Sequence, residues 1–484
     1  MENLAFASAC TLASLLAEKK ISSVELVGLY AKRIAQHNGT INAIIWKDLD
    51  AAYEQARLSD QRRAEGKTLS IFDGVPCTVK ESFQVSGWPT TWGVPDQKNN
   101  VTSTTSDLVS RYLGAGLILM GKTNVPLLLS DWQTFNDIYG TTSNPWGHGL
   151  IPGGSSGGSA AALAAGLTGL EAGSDIGASI RNPAHYCGVY GHKPTFGVVS
   201  PRGQSLGADL AMTDIAVVGP MARSAEDLIH AFSIVAGPPD DIAAGWTLSL
   251  PKPSPKPLSD YRVAIIDNST VSEVDDQVRE KLQELGNWLE LQGTKVHRDV
   301  RPAFSDEEAM DVYLWLLRGA TSKRMSDAFV DSIEEQLAVL PSHYDYQRRA
   351  LEAQRMSHRH WLRWDEKRLQ LGKLWAEFFK DFDLLLCPAA ASTAYQHDQE
   401  NERFARVIQV NGKDVPTTDQ LFWAGHSCVA YLPATVAPIG LARNGLPVGV
   451  QIVGPKFGDY ACMQFAALLE KYYGGFQIPP NMTT

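Results

Sequence analysis

Apolar residues recur at helical spacing over the first 66 residues of the chain. The pattern covers positions 9–37 and 48–66, and it places Leu12 and Leu16 on one helix face. Ser22 and Glu25 have the spacing of a capping box, in which each side chain accepts a hydrogen bond from the other residue's backbone N–H. The pattern therefore predicts an N-terminal group of helices, with a new helix beginning near Ser22.

Short apolar runs replace this pattern further along and predict buried strands. The run GVPCTVKESFQV carries Lys80 near its end, and GAGLILMGKTNV is bounded by glycines. Strand patterns return at YRVAIID and, near the C-terminus, in DFDLLLCPAA, YLPATVAPIGL and LPVGVQIVGP. A helical stretch from about 305 to 380 separates them. Strands on both sides of a helical middle predict one large α/β domain, with the middle as an elaboration.

Composition and charge argue against several classes of protein. The 484-residue chain is 44% hydrophobic and 20% charged, which is ordinary for a globular protein, and its formal net charge is −10. Because it has no basic surplus to meet phosphates, we expect no nucleic-acid partner. No apolar run approaches the length that crosses a bilayer, so we expect no membrane association. The six cysteines are scattered without a CxxC pair, which favours reduced thiols in a cytoplasmic protein and no metal site.

The stretch IPGGSSGGSAAALAAG at 151–166 places two adjacent serines between glycines, directly ahead of an alanine-rich helix pattern. A phosphate-binding Walker loop needs a lysine followed by serine or threonine after its glycines, and this loop has none. The chain also has no GxGxxG that follows a strand and has an acidic partner downstream. The stretch therefore gives little support to nucleotide binding, and the paired hydroxyls need another explanation.

A second turn of small residues follows within GSDIGASIRNPAHYCGVYGHKPT, residues 173–195. Such a turn can aim several backbone N–H groups at one point. The N–H groups of Ile176, Gly177 and Ala178 would form an oxyanion hole beside the hydroxyl of Ser179. The turn therefore makes Ser179 a candidate nucleophile.

A serine nucleophile needs a proton acceptor, which is usually histidine. His185 and His192 lie nearby in the sequence and are candidates for this role. Neither of them belongs to a recognisable triad motif, so we expect both to be structural.

The ordered set of motifs strongly resembles the amidase signature family. GGSSGGSAAALAAG is followed by SDIGASIRNPA and then by CGVYGHKPT. The similarity extends to VPCTVKESFQVSG, GKTNVP, YGTTSNPW and the terminal GLPVGVQIVGP. It covers the chain apart from roughly 240–380, the stretch in which the family varies. Each motif alone is weak, and their ordered combination is very specific.

The resemblance implies a fold and a division of the chain. The fold is α/β, a single large domain with a twisted mixed β-sheet core covered by helices on both faces. Within this domain, residues 1–484, the N-terminal helices extend to about 66 and the catalytic core covers about 67–236. A variable, substrate-shaping helical region covers about 240–380 and precedes the C-terminal strands.

The resemblance also implies a triad of two serines and a lysine. Carried over by position, Ser179 is the nucleophile, Ser155 is the bridging serine and Lys80 is the ultimate base. In this family the bridging serine follows a cis peptide bond, here Gly154–Ser155. A lysine with its ordinary pKa of about 10.4 cannot accept a proton at neutral pH. Burial among apolar residues disfavours the charged form, so the lysine could act as a base. This acyl-enzyme chemistry requires no metal or organic cofactor.

One position departs from the family pattern. Family members commonly have two glycines before the nucleophile, and the second is Ala178 here. Alanine keeps the N–H donor but adds a methyl group, which is strained if the position requires a positive φ. The departure bears on the geometry of the oxyanion hole more than on the class of reaction.

Substrate choice in the family lies in the variable middle and in the segment after TNVP, which reads LLLSDWQTF here. By position Leu129, Ser130, Asp131 and Trp132 border the scissile bond, and Trp423 is a further wall candidate. Twelve tryptophans favour an apolar or aryl pocket. We therefore expect an amidohydrolase for small aryl or alkyl amides, with esters and carbamates (urethanes) as chemically close substrates. Its reactants are a small-molecule amide and water, and it is expected to be a monomer or homodimer.

Two other functions remain open. The glutaminase component of a tRNA-dependent amidotransferase complex shares this fold, although its segment after the TNVP-like strand generally reads like EFAMGSS. A catalytically inactive binding protein is the other alternative, and the intact triad positions argue against it.

Overall fold

The computed structural model describes residues 2–342 and 344–482. Its elements follow one another as alternating helices and strands, with four consecutive helices before the C-terminal strands. The α-helices are α1 (Ala9–Ala17), α2 (Ser23–Ile41), α3 (Leu49–Ala64), α4 (Asp107–Gly114), α5 (Gly157–Ala164), α6 (Arg181–Cys187), α7 (Ala225–Val235), α8 (Asp240–Ala243), α9 (Asp276–Leu291), α10 (Asp306–Ser322), α11 (Asp327–Val339), α12 (Asp345–Gln354), α13 (His358–Asp381), α14 (Leu421–Cys428) and α15 (Asp459–Tyr472). The strands are β1 (Ile44–Lys47), β2 (Pro76–Lys80), β3 (Ile118–Thr123), β4 (Phe135–Asn136), β5 (Gly140–Thr141), β6 (Glu171–Asp175), β7 (Tyr190–Lys193), β8 (Val217–Ala222), β9 (Arg262–Ile265), β10 (Lys295–Arg298), β11 (Leu384–Pro388), β12 (Val407–Val410), β13 (Lys413–Pro416), β14 (Ala434–Leu441) and β15 (Pro447–Val453).

A mixed sheet of eight strands forms the centre of the molecule, in the order β10-β9-β11-β15-β14-β7-β8-β6. The strands β10, β9 and β11 are parallel, and all further neighbours in this sheet are antiparallel. Every residue of β11 and β15 is buried. Because successive side chains of a strand point to opposite faces, both faces of the sheet are covered.

A smaller sheet, ordered β1-β3-β2, continues this arrangement beyond β6. Its strand β2 reaches the segment that leads into β6, since the N–H of Thr78 donates to Leu170 O (3.1 Å) and that of Gly169 to Pro76 O (3.1 Å). The contact between the two sheets therefore lies directly before β6. As a result, Lys80 at the end of β2 lies beside the C-terminal end of β6.

The N-terminal helices begin with side-chain caps. The Ser22 N–H donates to the Glu25 carboxylate (2.8 Å), and the Glu25 N–H donates to the Ser22 hydroxyl (3.2 Å), which confirms the capping box expected at α2. Ser8 caps α1 in the same sense by accepting the Thr11 N–H. Across residues 2–342 and 344–482, no helix combines the length and apolar character needed to cross a bilayer.

The predicted fold class, a single α/β domain with a mixed sheet covered by helices, is confirmed. The glycine-rich stretch from 140 to 219 contains strands that its pattern did not predict, among them β6. Its sequence, EAGSD, is short and nearly free of large apolar side chains, so it lacks the usual mark of a buried strand. The division at about 240–380 stays a prediction, and two strands within it, β9 and β10, belong to the central sheet.

Helix α5 approaches the end of β3 closely at Gly158. A Cβ atom at this position would lie 2.4 Å from the backbone N and 2.6 Å from the backbone O of Asn124. Neither backbone atom can move without shifting β3. Glycine at position 158 therefore sets the distance between α5 and the small sheet.

We expect Gly158→Ala to lower the free energy of unfolding by about 1–3 kcal/mol, because the added methyl group overpacks a rigid contact. The matched control is Gly39→Ala in α2, where the added Cβ meets no atom within 4 Å. That change should raise stability by about 0.5–1 kcal/mol, the helix-propensity gain of alanine over glycine. Urea denaturation of both variants measures the difference, and equal effects would contradict the assignment.

Candidate active site

The three predicted catalytic residues come from three separate elements that meet at one cleft. Lys80 ends β2, Ser155 precedes α5, and Ser179 lies in the turn between β6 and α6, residues 176–180, here called the serine turn. Ser155 and Ser179 both line the cleft. The Ser156 N–H donates to Ser179 O (3.1 Å), which ties the loop before α5 to the serine turn. The structure thus brings the three residues together.

Lys80 is completely buried, and its ammonium nitrogen contacts hydroxyl groups. Nζ donates to Ser155 Oγ (2.7 Å) and to Ser174 Oγ (3.0 Å). Burial lowers the pKa of Lys80 to about 7, an effect that the Asp175 charge partly offsets. A substantial fraction of this lysine is therefore neutral near pH 7 and able to accept a proton.

The peptide bond between Gly154 and Ser155 is cis, as the resemblance implies. The loop has no room for larger residues: a Cβ at Gly154 would lie 2.3 Å from Asp131 O. The Gly154 N–H donates to the Asn182 side chain (3.2 Å), and the Thr134 hydroxyl donates to Gly153 O (2.8 Å). These contacts hold Ser155 between Lys80 and the cleft.

The buried carboxylate of Asp175 organises the serine turn. It accepts the N–H groups of Ala178 (2.9 Å) and Ile180 (3.0 Å), and it forms an ion pair with Arg181 (2.8 Å). Arg181 and the other hydrogen-bond donors hold the pKa of Asp175 below its usual value despite burial. Asp175 is thus a charged anchor at the end of β6.

The hydrogen bonds to Asp175 separate the three predicted oxyanion donors into one that is occupied and two that are available. The Ala178 N–H is committed to Asp175, whereas no hydrogen bond among the described residues uses the N–H of Ile176 or Gly177. Tyr313 donates to Ile176 O (3.0 Å) and the Trp132 indole to Gly177 O (2.8 Å). The Ile176 C=O and the Gly177 N–H belong to the same trans peptide and point in opposite directions. Because Tyr313 donates to this C=O, the Gly177 N–H points away from Tyr313.

Ala178 has a φ of +67°, the left-handed conformation that glycine adopts most easily. The position therefore does require a positive φ, and alanine holds it at a cost in backbone strain of about 1–2 kcal/mol. The N–H of this residue still reaches Asp175. The departure from the family pattern thus leaves the turn intact and adds strain to it.

The predicted substrate-binding residues separate into two groups. Leu129, Ser130, Asp131 and Trp132 line the cleft together with the serines. Trp423 does not line it: its side chain is fully buried in α14 and packs against His426. Tryptophan at a helix position next to the sheet fills the core, which its large apolar surface favours.

Sequence reasoning missed several residues of the cleft. Ser174 is the second acceptor for Lys80, and Gln204 donates to its hydroxyl (3.1 Å). Leu317 and Arg318 of α10 also line the cleft, as does Arg403 from the segment before β12. Only Ser174, which precedes the serine turn, could have been suspected from local sequence. The others reach the cleft through long-range packing that leaves no mark in the pattern.

The two histidines near the serine turn are structural. His185 accepts the Gly449 N–H (2.9 Å) and contacts Ser392 O, and His192 lies between Thr435 and Asp459. Both are completely buried, and burial lowers the pKa of each. They connect strands and loops of the central sheet and do not line the cleft.

One group of side chains in the described part of the chain has a metal-ligand composition. The ligand atoms of Cys10, Glu226 and His230 lie within 4.8 Å of one another. The group lies between α1 and α7 and includes no residue of the cleft. It therefore has no part in the chemistry of the serines, and sequence patterns could not reveal it because Cys10 is far from Glu226 and His230 in the chain.

Two serines, a buried lysine of lowered pKa and a turn of N–H donors are groups that a serine amidohydrolase requires. The amidase family model, described as Amidase, matches residues 25–463. The chain therefore belongs to the amidase signature family.

Individual relatives align with nearly the whole chain, and their names differ. A glutamyl-tRNA(Gln) amidotransferase subunit of Leptospira interrogans is 30% identical over 96% of each chain. Human fatty-acid amide hydrolase 2 is 29% identical over 99% of this chain and 91% of its own. The structure of a bacterial aryl acylamidase of the amidase signature family superposes with a TM-score of 0.84 at 23% identity, over 99% of this chain and 98% of that one. These names differ in substrate, so family membership alone leaves the substrate open.

The lowered pKa of Lys80 predicts the pH dependence of the reaction. Below its pKa the lysine is charged and cannot accept a proton, so kcat/KM should rise as the pH passes about 7 and then level off. Glu171→Gln removes a carboxylate that favours the charged lysine, so the rise should move to lower pH. Measuring kcat/KM from about pH 5 to 9 for both proteins tests this.

Glu171 is itself a candidate for the titrating group, because burial raises its pKa to about 7. If Glu171 controlled the profile, the rise would disappear in Glu171→Gln. A rise that shifts to lower pH assigns it to Lys80, and a rise that vanishes contradicts that assignment.

Proposed function

We propose that this enzyme cleaves the C–N bond of a small carboxylic amide, with Ser179 as nucleophile, Ser155 as bridging serine and Lys80 as base. One observation carries the proposal: the buried Lys80 nitrogen lies 2.7 Å from Ser155 Oγ, in a cleft that Ser179 also lines. A lysine in this position has a hydroxyl as its nearest proton donor. No cofactor takes part in the proposed steps.

Acylation begins with proton transfer through the two serines. Neutral Lys80 takes the proton of Ser155 while Ser155 takes that of Ser179, and the Ser179 oxygen forms a bond to the carbonyl carbon. The negative charge on the carbonyl oxygen is stabilised by the N–H groups of Ile176 and Gly177. When the C–N bond breaks, the proton returns from Lys80 through Ser155 to the departing amine.

Deacylation repeats the same path with water. A water molecule gives its proton to the relay as its oxygen attacks the acyl carbon, and the bond to Ser179 breaks with return of the proton to the serine. The product is a carboxylic acid. Ser174 keeps Lys80 aimed at Ser155 throughout, because it accepts the second hydrogen bond of the same nitrogen.

The walls of the cleft support aryl or alkyl amides as substrates. Leu129, Trp132, Leu317 and Leu421 line it and can bury an apolar group beside the scissile bond. Esters and carbamates undergo the same attack at the carbonyl carbon, and we propose them as further substrates.

A glutaminase component of a tRNA-dependent amidotransferase is the second candidate, favoured by the 30% identity to a protein with an amidotransferase name. The two functions differ in what the isolated chain can do. The independent amidase should hydrolyse p-nitroanilides, anilides, esters or carbamates without partner proteins, and it should ignore glutamine. Glutamine hydrolysis that requires partner proteins would favour the second candidate.

We further propose a cytoplasmic monomer or homodimer whose reactants are the amide and water, without a nucleic-acid or membrane partner. The six cysteines are all free and five of them are buried, which is typical of reduced thiols. The net charge of −10 supports the absence of a nucleic-acid partner.

A fluorophosphonate should label Ser179, because it reacts with a serine that is activated by a base and oriented at an oxyanion hole. Intact-mass and peptide mass spectrometry locate the adduct. Ser179→Ala should lose the label, and Ser155→Ala should slow labelling by at least about 100-fold through loss of the relay. An adduct on any other serine would contradict the assignment.

Lys80→Met should fold and lose turnover. Methionine fills a similar volume and needs no charge in a buried site, so the protein should stay folded while kcat falls at least about 100-fold. The matched control is Lys122→Met, at the other buried lysine of the small sheet. Lys122 lies beside the buried Glu81 charge, so this change should destabilise the protein more. Thermal denaturation and kcat measure both effects, and near-normal turnover of Lys80→Met would rule out a lysine base.

A further inference from the structure

Among the described residues, the aspartates that line the cleft have ion-pair partners, whereas the arginines that line it have none. The charged side chains are two aspartates and three arginines: Asp131, Asp175, Arg318, Arg324 and Arg403. Each aspartate is neutralised from outside the cleft, since Asp131 forms an ion pair with Arg406 and Asp175 with Arg181. The Asp131 carboxylate also accepts the N–H groups that follow it in the chain. The cleft is therefore cationic, although the whole protein carries a net charge of −10.

Arg318 is the most buried of the three arginines, at 7% exposure. One of its terminal nitrogens donates to the Tyr346 hydroxyl, and its Nε is buried without a hydrogen-bond partner among the described residues. Within residues 2–342 and 344–482 it forms no ion pair with a carboxylate. Leaving a buried charge unpaired costs several kcal/mol, so such an arginine is typical of a site that an anion completes.

Arg403 shares the surroundings of Arg318. Both guanidinium groups contact the ring of Phe404, at 5.6 Å for Arg403 and 6.0 Å for Arg318. Burial and repulsion from the charge of Arg318 lower the pKa of Arg403, an effect that the Asp131 charge partly offsets. In the described part of the chain Arg403 also has no ion pair. An anion between the two guanidinium groups would relieve this repulsion.

Arg324 is more exposed than the other two arginines and adds a third positive charge to the cleft. Its guanidinium group stacks over the Trp92 ring at 4.1 Å, and the neighbouring Asp209 is already paired with Lys323. Each of the three guanidinium groups thus contacts an aromatic ring. Among the residues that the structure describes, none of the three forms an ion pair with a carboxylate.

We infer that the substrate is an amide that also carries a carboxylate but, unlike glutamine, no ammonium group, bound by Arg318 and Arg403 while its scissile carbonyl lies at Ser179. The inference rests on the proposed amide hydrolysis and names its substrate class. The planar guanidinium group donates two parallel hydrogen bonds to a carboxylate, which makes arginine well suited to this role. The apolar walls at Leu129 and Leu421 then contact the part of the substrate between its two polar ends. A neutral aryl amide would leave the arginines unpaired.

Matched pairs of p-nitroanilides test this inference. Succinyl, glutaryl and adipoyl p-nitroanilides carry a terminal carboxylate, and the alkanoyl p-nitroanilides of the same length are their uncharged counterparts. A second pair, 4-acetamidobenzoate and acetanilide, places the carboxylate on the amine side. We expect kcat/KM for the best carboxylate member to exceed that of its counterpart at least about tenfold, mainly through a lower KM. The preference should weaken as NaCl is raised.

Arginine variants test which side chains cause the preference for carboxylate substrates. Arg318→Gln and Arg403→Gln should each reduce the ratio of charged to uncharged kcat/KM about tenfold or more, and Arg318→Lys should restore part of it. Arg443→Gln, an exposed arginine paired with Glu280, is the matched control and should leave the ratio unchanged. Thermal denaturation checks that each variant is folded. If a glutamine variant does not fold, the wild-type ratio and its salt dependence decide the question.

The outcomes separate this inference from the proposed function. Equal or faster hydrolysis of the uncharged partners in both pairs, with fluorophosphonate still labelling Ser179, would overturn the carboxylate inference alone. Unchanged ratios in folded Arg318→Gln and Arg403→Gln would also overturn it. Failure of every anilide together with failure to label Ser179 would instead refute the proposed amidase chemistry.

Discussion

The buried ion pair between Asp175 and Arg181 is the interaction on which the cleft depends. Two buried charges cost several kcal/mol each unless further hydrogen bonds complete them. Asp175 takes these bonds from the backbone of the serine turn, including the Ala178 N–H, and Arg181 donates to Ser427 and Gln451. The pair therefore joins the turn to α14 and β15, which come more than 200 residues later in the chain. Removal of either partner would leave the other charge buried and unpaired, which costs about 3–5 kcal/mol.

The small sheet contains two buried lysines, and their surroundings explain why they can have different roles. Lys122 lies beside the carboxylate of Glu81 and donates to Pro89 O (2.6 Å), so its charged form has partners. Among the residues that the structure describes, Lys80 Nζ has only the hydroxyls of Ser155 and Ser174 as hydrogen-bond partners. A hydroxyl can accept from a charged or a neutral amine and can also give up its own proton. The lysine with hydroxyl partners is therefore the one suited to proton transfer.

Local patterns were enough to predict the capping box at Ser22, a strand that contains Lys80 and an α/β domain, whereas the mixed sheet covered on both faces was implied by the family resemblance. The contacts that shape the cleft depend on distant parts of the chain. Trp423 and Trp132 cannot be distinguished by composition, yet one fills the core and the other lines the cleft. The arginines of the cleft were missed for the same reason: an unpaired Arg318 is visible only after every carboxylate around it has been assigned a partner.

Helix α10 contacts both the serine turn and the cleft. Tyr313 on this helix holds the carbonyl of Ile176 in the serine turn, and Leu317, Arg318 and Thr321 line the cleft from the same helix. The spacing from 313 to 317 and from 317 to 321 is one helical turn each, so these side chains lie on one face. In the proposed mechanism, a change in α10 that repositions the substrate therefore also acts on the turn that stabilises the transition state. One helix outside the family motifs thus contacts, in this mechanism, both the serine turn and the substrate.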